Sequence, residues 1–300
     1  MLFDIYRSLL ERFGSQDWWP AGNGFKPREW EICVGAVLTQ NTNWRNVEKA
    51  LQNLKNEKIL SAYNIINLDN QTLEKLVQPS GFFRQKSKKL KELARLVNSY
   101  ENFDKFKINA TRDQLLDVSG IGRETADSIL LYACNRPIFV IDSYTRRIFS
   151  RIGMIDENLD YDDIRMYIEY QLGSLHAASF HVNDVASATS MHRKDPGEIY
   201  EEQKLFGMPK NSCSSYKSSL RSQVYEQSNI QSLLKEAEIV KMYNEYHALL
   251  VALAKNFCTK SNPKCKECPI NNYCKHGAKT LGKEEPSFDA RGSLSVFGGH

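Results

Sequence analysis

The chain of 300 residues has no run approaching the roughly 18 consecutive apolar residues that a membrane-spanning helix requires. Its first residues, MLFDIYRSLLERF, mix acidic and basic side chains and have no small-residue cleavage site, which favours a folded helix over a signal peptide. No convincing alternation of polar and apolar positions indicates β-strands. These absences predict an all-α, intracellular protein (cytoplasm or nucleoid in a prokaryote, nucleus or organelle in a eukaryote) without a membrane partner.

The sequence also has no strong excess of one charge sign and no evident internal repeat. Its net charge is +4, and 41% of its residues are hydrophobic and 25% charged, as in ordinary globular proteins. This balance permits an acidic partner but does not require one. Whether the partner is acidic therefore has to be judged from where the charged residues lie.

The cysteines do not follow a secreted disulfide pattern. Four of the seven lie within seventeen residues near the C-terminus, spaced x6, x2 and x5: Cys258, Cys265, Cys268 and Cys274. Without a secretory signal, such crowding favours a metal or cluster over disulfides. A Cys₄ zinc site and a [4Fe–4S] cluster both use four thiolates, but zinc ribbons usually carry two CxxC pairs, and this loop has one with longer arms. The spacing therefore favours the cluster.

The stretch from Leu115 to Arg147 predicts two helices joined by the tight turn Gly120-Ile121-Gly122. Thr111 and Gln114 fit a capping box that opens the first helix, and the second begins at about Arg123. Glycine lets the backbone turn through positive φ and approach another molecule closely. Backbone N–H groups at the start of the second helix suit a phosphate, although such a turn by itself is also an ordinary corner between helices.

Asp142 precedes the next helix and by itself is typical of an N-cap. Together with the hairpin, however, it resembles the helix-hairpin-helix (HhH-GPD) endonuclease III-like DNA glycosylase superfamily. The resemblance implies a monomer that binds damaged double-stranded DNA, a catalytic Asp142, and a structural [4Fe–4S] cluster, since the cysteine spacing matches the endonuclease III loop. It also implies that the hairpin binds the DNA backbone through Gly120, Ile121, Gly122, Arg123 and Thr125.

One position departs from endonuclease III. Where that enzyme has its Schiff-base lysine, two residues after the second hairpin glycine, this chain has Glu124. A covalent amine mechanism is therefore excluded at this position, and we predict a monofunctional hydrolase. Glu124 itself either contacts the base, which we favour slightly, or stabilises the first turn of its helix, where acidic residues are preferred.

Base recognition is predicted for Gln40, which corresponds to the residue that relatives insert into the DNA stack, and for Trp18, Trp19, Pro20 and Trp44. These motifs resemble the endonuclease III-type 3-methyladenine DNA glycosylases over about 1–170 and 231–275. One member of that branch differs in having Phe at the position of Trp44 and no four-cysteine cluster. Alkylated purines carry positive charge, so they leave readily and stack well on indole. We therefore predict hydrolysis of the N-glycosidic bond of alkylated purines.

The predicted organisation has a helical lobe at 25–135, a second lobe formed by 1–24 and 136–278, and a flexible tail at 279–300. The pocket is expected between the lobes. The Ser-rich segment 174–230 is interpreted as a partly disordered insertion. Two alternatives remain: a bifunctional glycosylase and lyase acting on oxidised pyrimidines through a lysine elsewhere, and a non-catalytic DNA-binding iron–sulfur protein.

Overall fold

A computed structural model of the chain describes residues 1–173 and 236–287. The described residues contain helices and no strand, which confirms the predicted all-α class. The predicted insertion at 174–230 and the tail beyond residue 287 lie outside the described residues. Within the described ranges, no helix combines the length with the apolar character that crossing a membrane requires.

The α-helices of the described residues follow one another along the chain. They are α1 (Leu2–Phe13), α2 (Arg28–Leu38), α3 (Trp44–Asn56), α4 (Ala62–Asn67), α5 (Asn70–Val77), α6 (Phe83–Asn98), α7 (Phe103–Asn109), α8 (Arg112–Leu116), α9 (Arg123–Ser128), α10 (Ser143–Ile152), α11 (Tyr161–Gln171), α12 (Glu236–Asn256) and α13 (Lys275–Leu281). A π-helical turn, Ile129–Ala133, continues α9. Backbone contacts divide the chain into two compact units. The predicted lobe boundaries stay a prediction.

The hairpin unit comprises Asp17–Val140 and Val240–Glu245. Its central helix is α2, in which every residue from Trp30 to Leu38 is buried, as its all-round apolar sequence predicts. Helices α3 and α6 and the π-helical turn pack against it. The apolar stripe predicted for the hairpin's second helix is also buried, including Ala126 and Ile129.

The hairpin itself forms as the sequence predicts. Thr111 and Gln114 make both hydrogen bonds of a capping box at the start of α8. Gly120 adopts a φ of +83°, a conformation that glycine tolerates at little cost. Arg112 joins the fully buried Asp127 through two hydrogen bonds of 2.6 and 3.1 Å, which tie α8 to α9. The capping box and the Arg112–Asp127 pair therefore fix the two helices that flank the turn.

The aspartate unit comprises Met1–Gln16 and the described parts of Ile141–Ile239 and Tyr246–His300. Its core joins α1, α10 and α12: the Tyr246 hydroxyl donates to the Leu2 carbonyl at 3.0 Å, and the Phe149 ring lies 6.4 Å from the Tyr246 ring. Helix α13 packs against α10 behind the cysteine loop. This packing fixes the N-terminus of α10, which carries Asp142.

Candidate active site

Asp142 is the N-cap residue of α10. Its Oδ1 accepts a hydrogen bond from the backbone N–H of Thr145 at 2.7 Å, the ordinary capping interaction. Its Oδ2 lies 3.6 Å from Nε2 of His247 on α12. The Asp142 side chain is 14% exposed, so the carboxylate is partly open to solvent. The cap thus occupies one oxygen, and the other faces an imidazole.

The surroundings of Asp142 favour its ionised form. Burial opposes ionisation of the carboxyl group, but the nearby imidazole of His247 and the hydrogen bond from the Thr145 backbone outweigh burial. The pKa of Asp142 therefore lies below the usual value for aspartate. A carboxylate of this kind is charged at neutral pH and suits the stabilisation of developing positive charge.

Four aromatic rings of the hairpin unit form one cluster around Trp19. Its ring centroid lies 5.6 Å from that of Trp18, 5.4 Å from that of Trp44 and 5.1 Å from that of Tyr132. The rings meet edge to face or tilted, the arrangements that aromatic quadrupoles prefer. The exposures of the tryptophans differ, because Trp19 is buried and Trp18 and Trp44 are only partly so. The two outer tryptophans are consequently the ones that a ligand could reach.

Trp19 is held in place by the helix beneath it. A Cβ atom added to Gly35 of α2 would lie 3.2 Å from Nε1 of Trp19, so the indole uses the space that glycine leaves. The chain after Pro20 is fixed by Glu31, a buried carboxylate that accepts from the backbone N–H groups of Gly22 and Asn23. Pro20 itself is exposed.

Gln40 contacts the hairpin directly. Its side-chain amide donates to the Thr125 hydroxyl at 2.9 Å and to the Gly120 carbonyl at 3.2 Å. Its Oε1 accepts from Nζ of Lys89 at 2.6 Å, and the methylenes of Lys89 cover Gly120. The structure therefore brings the residue predicted to enter the DNA stack together with two of the hairpin residues predicted to bind DNA.

The remaining hairpin residues divide by exposure. Gly122, the N-cap of α9, Arg123 and Glu124 are exposed, and Ile121 is buried. The site residues predicted from the sequence form four groups. Asp142 and the cysteine loop belong to the aspartate unit, and the tryptophans and the hairpin with Gln40 belong to the hairpin unit. Their functional roles stay predictions.

Sequence reasoning missed three residues of these groups. His247 approaches Asp142 from α12, and Lys89 holds Gln40. Lys86 is 1% exposed and donates from Nζ to the carbonyls of Leu38 at 2.8 Å and Ser80 at 2.6 Å. Burial lowers the pKa of Lys86 to about 8, helped by the charge of Lys89. A signal existed for Lys86: it is one helical turn before the buried Leu90 on the apolar stripe of α6.

The cysteine loop surrounds a small apolar cavity. Cys258, Cys265, Cys268 and Cys274 all line it, together with Ile148, Ile152, Leu253, Phe257 and Ile270. The cavity volume is about 20 Å³. Two of the sulfur atoms accept hydrogen bonds of 3.3 Å, Cys258 from the Arg151 guanidinium and Cys274 from the backbone N–H of Gly277. These donors suit sulfur atoms that carry negative charge.

The four cysteines of the loop occupy buried or partly buried positions. They are free thiols, and burial raises the pKa of Cys268 to about 12, with the three other cysteines adding to the increase. Ligand thiolates at these positions would therefore need positive charge between them. Within residues 1–173 and 236–287 no group of three or more His, Cys, Asp or Glu side chains is placed to hold a metal ion.

Comparison with known proteins gives the family. Residues 34–171 match the model of the HhH-GPD superfamily base excision DNA repair proteins. A putative DNA repair glycosylase of Methanocaldococcus jannaschii is 35% identical over 280 residues, which cover 91% of this chain and 96% of that protein. The chain belongs to the HhH-GPD superfamily. The predicted family resemblance is thereby confirmed.

Two solved structures share this HhH-GPD fold. The 3-methyladenine DNA glycosylase MagIII of H. pylori, bound to 1,N6-ethenoadenine, is 27% identical with a TM-score of 0.57, and the match covers 85% of this chain and 97% of that one. A non-covalent endonuclease III–DNA complex has a TM-score of 0.60 at 15% identity and covers 94% of this chain and 99% of that one. At that identity, the second likeness shows the fold alone.

Proposed function

We propose that this protein is a monofunctional DNA glycosylase that hydrolyses the N-glycosidic bond of alkylated purines resembling 3-methyladenine. Membership of the HhH-GPD superfamily makes it a DNA glycosylase of base excision repair. The observation that carries the finer proposal is the cluster of three tryptophans around Trp19, two of which are partly exposed. The similarity to a 3-methyladenine glycosylase supports the same substrate class.

The cationic charge of such lesions explains why indole walls suit them. N3- or N7-alkylated purines are positively charged, and a cation over an indole face gains up to about 2 kcal/mol when desolvated. A neutral damaged base gains only stacking from the same walls. Trp18 and Trp44 therefore discriminate by charge as well as by shape, and Pro20 by shape alone. Flipping the nucleotide out costs a few kcal/mol for any base.

Asp142 supplies the chemistry at the sugar. As the C1′–N bond breaks, its electron pair goes to the base, which leaves neutral, and positive charge develops on the sugar. The Asp142 carboxylate stabilises this charge and accepts a proton from the attacking water while the water oxygen bonds to C1′. The products are a free base and an abasic site in an intact strand.

An amine nucleophile is not part of this proposal. Glu124 occupies the position of the endonuclease III lysine, and the nearby buried amine, Lys86, donates to two backbone carbonyls and is 1% exposed. Lys86 thus holds the end of α2 next to Gln40 instead of facing a substrate. The rival bifunctional lyase would need another lysine.

DNA is bound, in this proposal, by the hairpin and by Gln40. The exposed backbone of Gly120 and Gly122 and the side chain of Arg123 bind phosphate, while Gln40 fills the space left by the flipped base. Thr125 holds Gln40 ready for this role through its 2.9 Å hydrogen bond.

The cysteine loop would hold a [4Fe–4S] cluster through Cys258, Cys265, Cys268 and Cys274. The cluster has a structural role in the proposal, fastening α10, the helix capped by Asp142, to the C-terminal loop. Arg151 of α10 supports this role, since it donates to Cys258 Sγ and to the carbonyls of Thr259 and Lys260. Absorption of the purified protein in the visible thiolate-to-iron band would separate the cluster from zinc.

The decisive test is a release assay on two matched duplexes, one methylated and one carrying oxidised pyrimidines, with the freed bases identified by mass. We expect methylated purines from the first duplex and little release from the second. Release of oxidised pyrimidines alone would support the bifunctional alternative. Binding of both duplexes without release from either would support the non-catalytic alternative.

A further inference from the structure

We propose that His247 is a positioning residue of the glycosylase reaction. Its imidazole fixes the orientation of the Asp142 carboxylate through Oδ2, the oxygen that the helix cap does not use. The proposal rests on the proposed function, because it gives His247 its role through a catalytic Asp142. It goes further in assigning a residue on α12, a helix that neither the hairpin nor the cysteine motif identifies.

Two elements hold the carboxylate at different atoms. The backbone of α10 fixes Oδ1 through the 2.7 Å hydrogen bond from Thr145, and α12 brings Nε2 of His247 to 3.6 Å from Oδ2. A cap alone leaves a carboxylate able to turn about its last bond. A second contact on the other oxygen restricts that rotation.

His247 is a buried polar residue, and its burial destabilises the fold unless a polar group lies close to the imidazole. The side chain is 6% exposed, and the neighbouring Tyr246, Leu249 and Leu250 are buried apolar or aromatic residues. Burying an imidazole in such surroundings costs free energy unless a polar group compensates it. Oδ2 of Asp142 is the acidic group that faces Nε2, at 3.6 Å, and the pair is an ion pair whenever the imidazole is protonated.

The pH dependence of this pair also depends on the ionisable groups of the elements around this part of α12. Among the described residues, His247 and Thr145 are the groups that act on the Asp142 carboxyl group. The Tyr246 hydroxyl donates to Leu2, and its neighbouring charge is Asp4 on α1. The same elements carry further ionisable side chains: Asp4, Tyr6, Arg7, Glu11 and Arg12 on α1, Tyr144, Arg146, Arg147 and Arg151 on α10, Tyr161, Asp162, Asp163, Arg165, Tyr167, Glu169 and Tyr170 on α11, and Glu236, Glu238, Lys241, Tyr243, Glu245 and Lys255 on α12 itself.

The consequence for catalysis follows from burial. A partly buried carboxylate tends to take up a proton, and a protonated Asp142 could neither stabilise an oxocarbenium ion nor accept a proton from water. His247 counters this tendency, and burial would remain without it. Removing His247 should therefore move the acid limb of the rate profile to higher pH.

The test uses His247→Phe, which removes charge and donor, and His247→Gln, which keeps a donor near the position of Nε2. Single-turnover release from methylated DNA is measured from pH 5 to 8 for both, alone and combined with Asp142→Asn. We expect His247→Phe to lower the rate at neutral pH about tenfold and to raise the acid limb, and His247→Gln to lose less. In the Asp142→Asn background, His247→Phe should cause no further loss.

Tyr246→Phe is the matched control. It removes a buried hydrogen bond from the adjacent position of the same helix without touching Asp142. It should lower the unfolding temperature and leave the acid limb in place. A structural role for His247 would give the same result as this control, and equal losses in the wild-type and Asp142→Asn backgrounds would overturn the proposal.

A substrate-free measurement separates this inference from the proposed function. The lowered pKa of Asp142 means that its carboxylate stabilises the fold above the unfolded-state pKa of about 3.9, and that this stability is lost as the pH falls through the folded-state value. The difference in unfolding free energy between wild type and His247→Gln should therefore shrink toward acid pH. A difference independent of pH would overturn the pairing. If Asp142→Asn fails to slow release while the difference shrinks, the catalytic role of Asp142 fails and the pairing stands.

Discussion

The two groups of predicted active-site residues differ in how they are held. Asp142 is held by polar contacts, a helix cap on one oxygen and an imidazole facing the other. The tryptophans are held by ring contacts and by the space above Gly35. The first group provides fixed charge, and the second provides polarisable walls. The comparison teaches that rate and substrate choice should respond to different substitutions.

The largest effect is expected from Asp142→Asn. Loss of the carboxylate should reduce base release by roughly 10²–10³-fold for every substrate, because it removes charge stabilisation at the sugar, which all lesions share. Single-turnover release measures the rate, and gel shift should show unchanged DNA binding. Asp69→Asn is a matched control, since Asp69 caps α5 through Thr72 in the same way and is exposed. Equal losses in both variants would mean that Asp142 is only a cap.

Trp44→Leu should act on substrate choice. Removing one partly exposed indole costs cation–π attraction, so release of cationic purines should fall roughly tenfold while release of a neutral lesion changes less. Trp44→Phe keeps a ring and should lose less than Trp44→Leu. The ratio of the two release rates is the measurement. A uniform loss across both lesions would mean that the tryptophan serves folding and not recognition.

Gly35→Ala tests the support of the aromatic group. The new methyl group meets the Trp19 indole, so unfolding free energy should fall by about 1–3 kcal/mol. Chemical denaturation measures the change. At Gly22 nothing lies within 4 Å of an added Cβ, so Gly22→Ala is the control and should be near neutral. Equal stability of the two variants would show that Trp19 does not depend on this contact.

The smallest effect on the release rate is expected from lowering the pH from 7 to 5. Because the pKa of Asp142 lies below its usual value, the carboxylate stays ionised down to about pH 4, and the release rate should change less than about twofold between pH 7 and pH 5. Activity should be lost as the pH falls further through the lowered pKa. A steep decline of the release rate already near pH 6 would mean that burial, and not His247, determines the pKa of Asp142.

Local sequence signals predicted most of the fold. The capping box at Thr111, the positive φ of Gly120 and the buried stripe of α9 each depend on neighbours within a few residues, so periodicity and turn chemistry suffice. Helices α4 and α7, of six and seven residues, are too short for a reliable period and were not predicted.

Long-range contacts explain what the sequence did not reveal. His247 meets Asp142 across 105 positions of the chain, and Lys89 meets Gln40 across 49. A histidine in an apolar helix and a lysine on a basic helix have no local feature that identifies such partners. The predicted site residues came from motifs, whereas the residues that support them came from tertiary packing.

The most direct test of an aspartate mechanism without an amine is borohydride reduction during turnover on methylated duplex DNA. The proposed mechanism predicts freed methylated purine, an intact strand carrying an abasic site, and no protein–DNA adduct. A covalent adduct trapped by borohydride, with strand cleavage at the lesion, would contradict it.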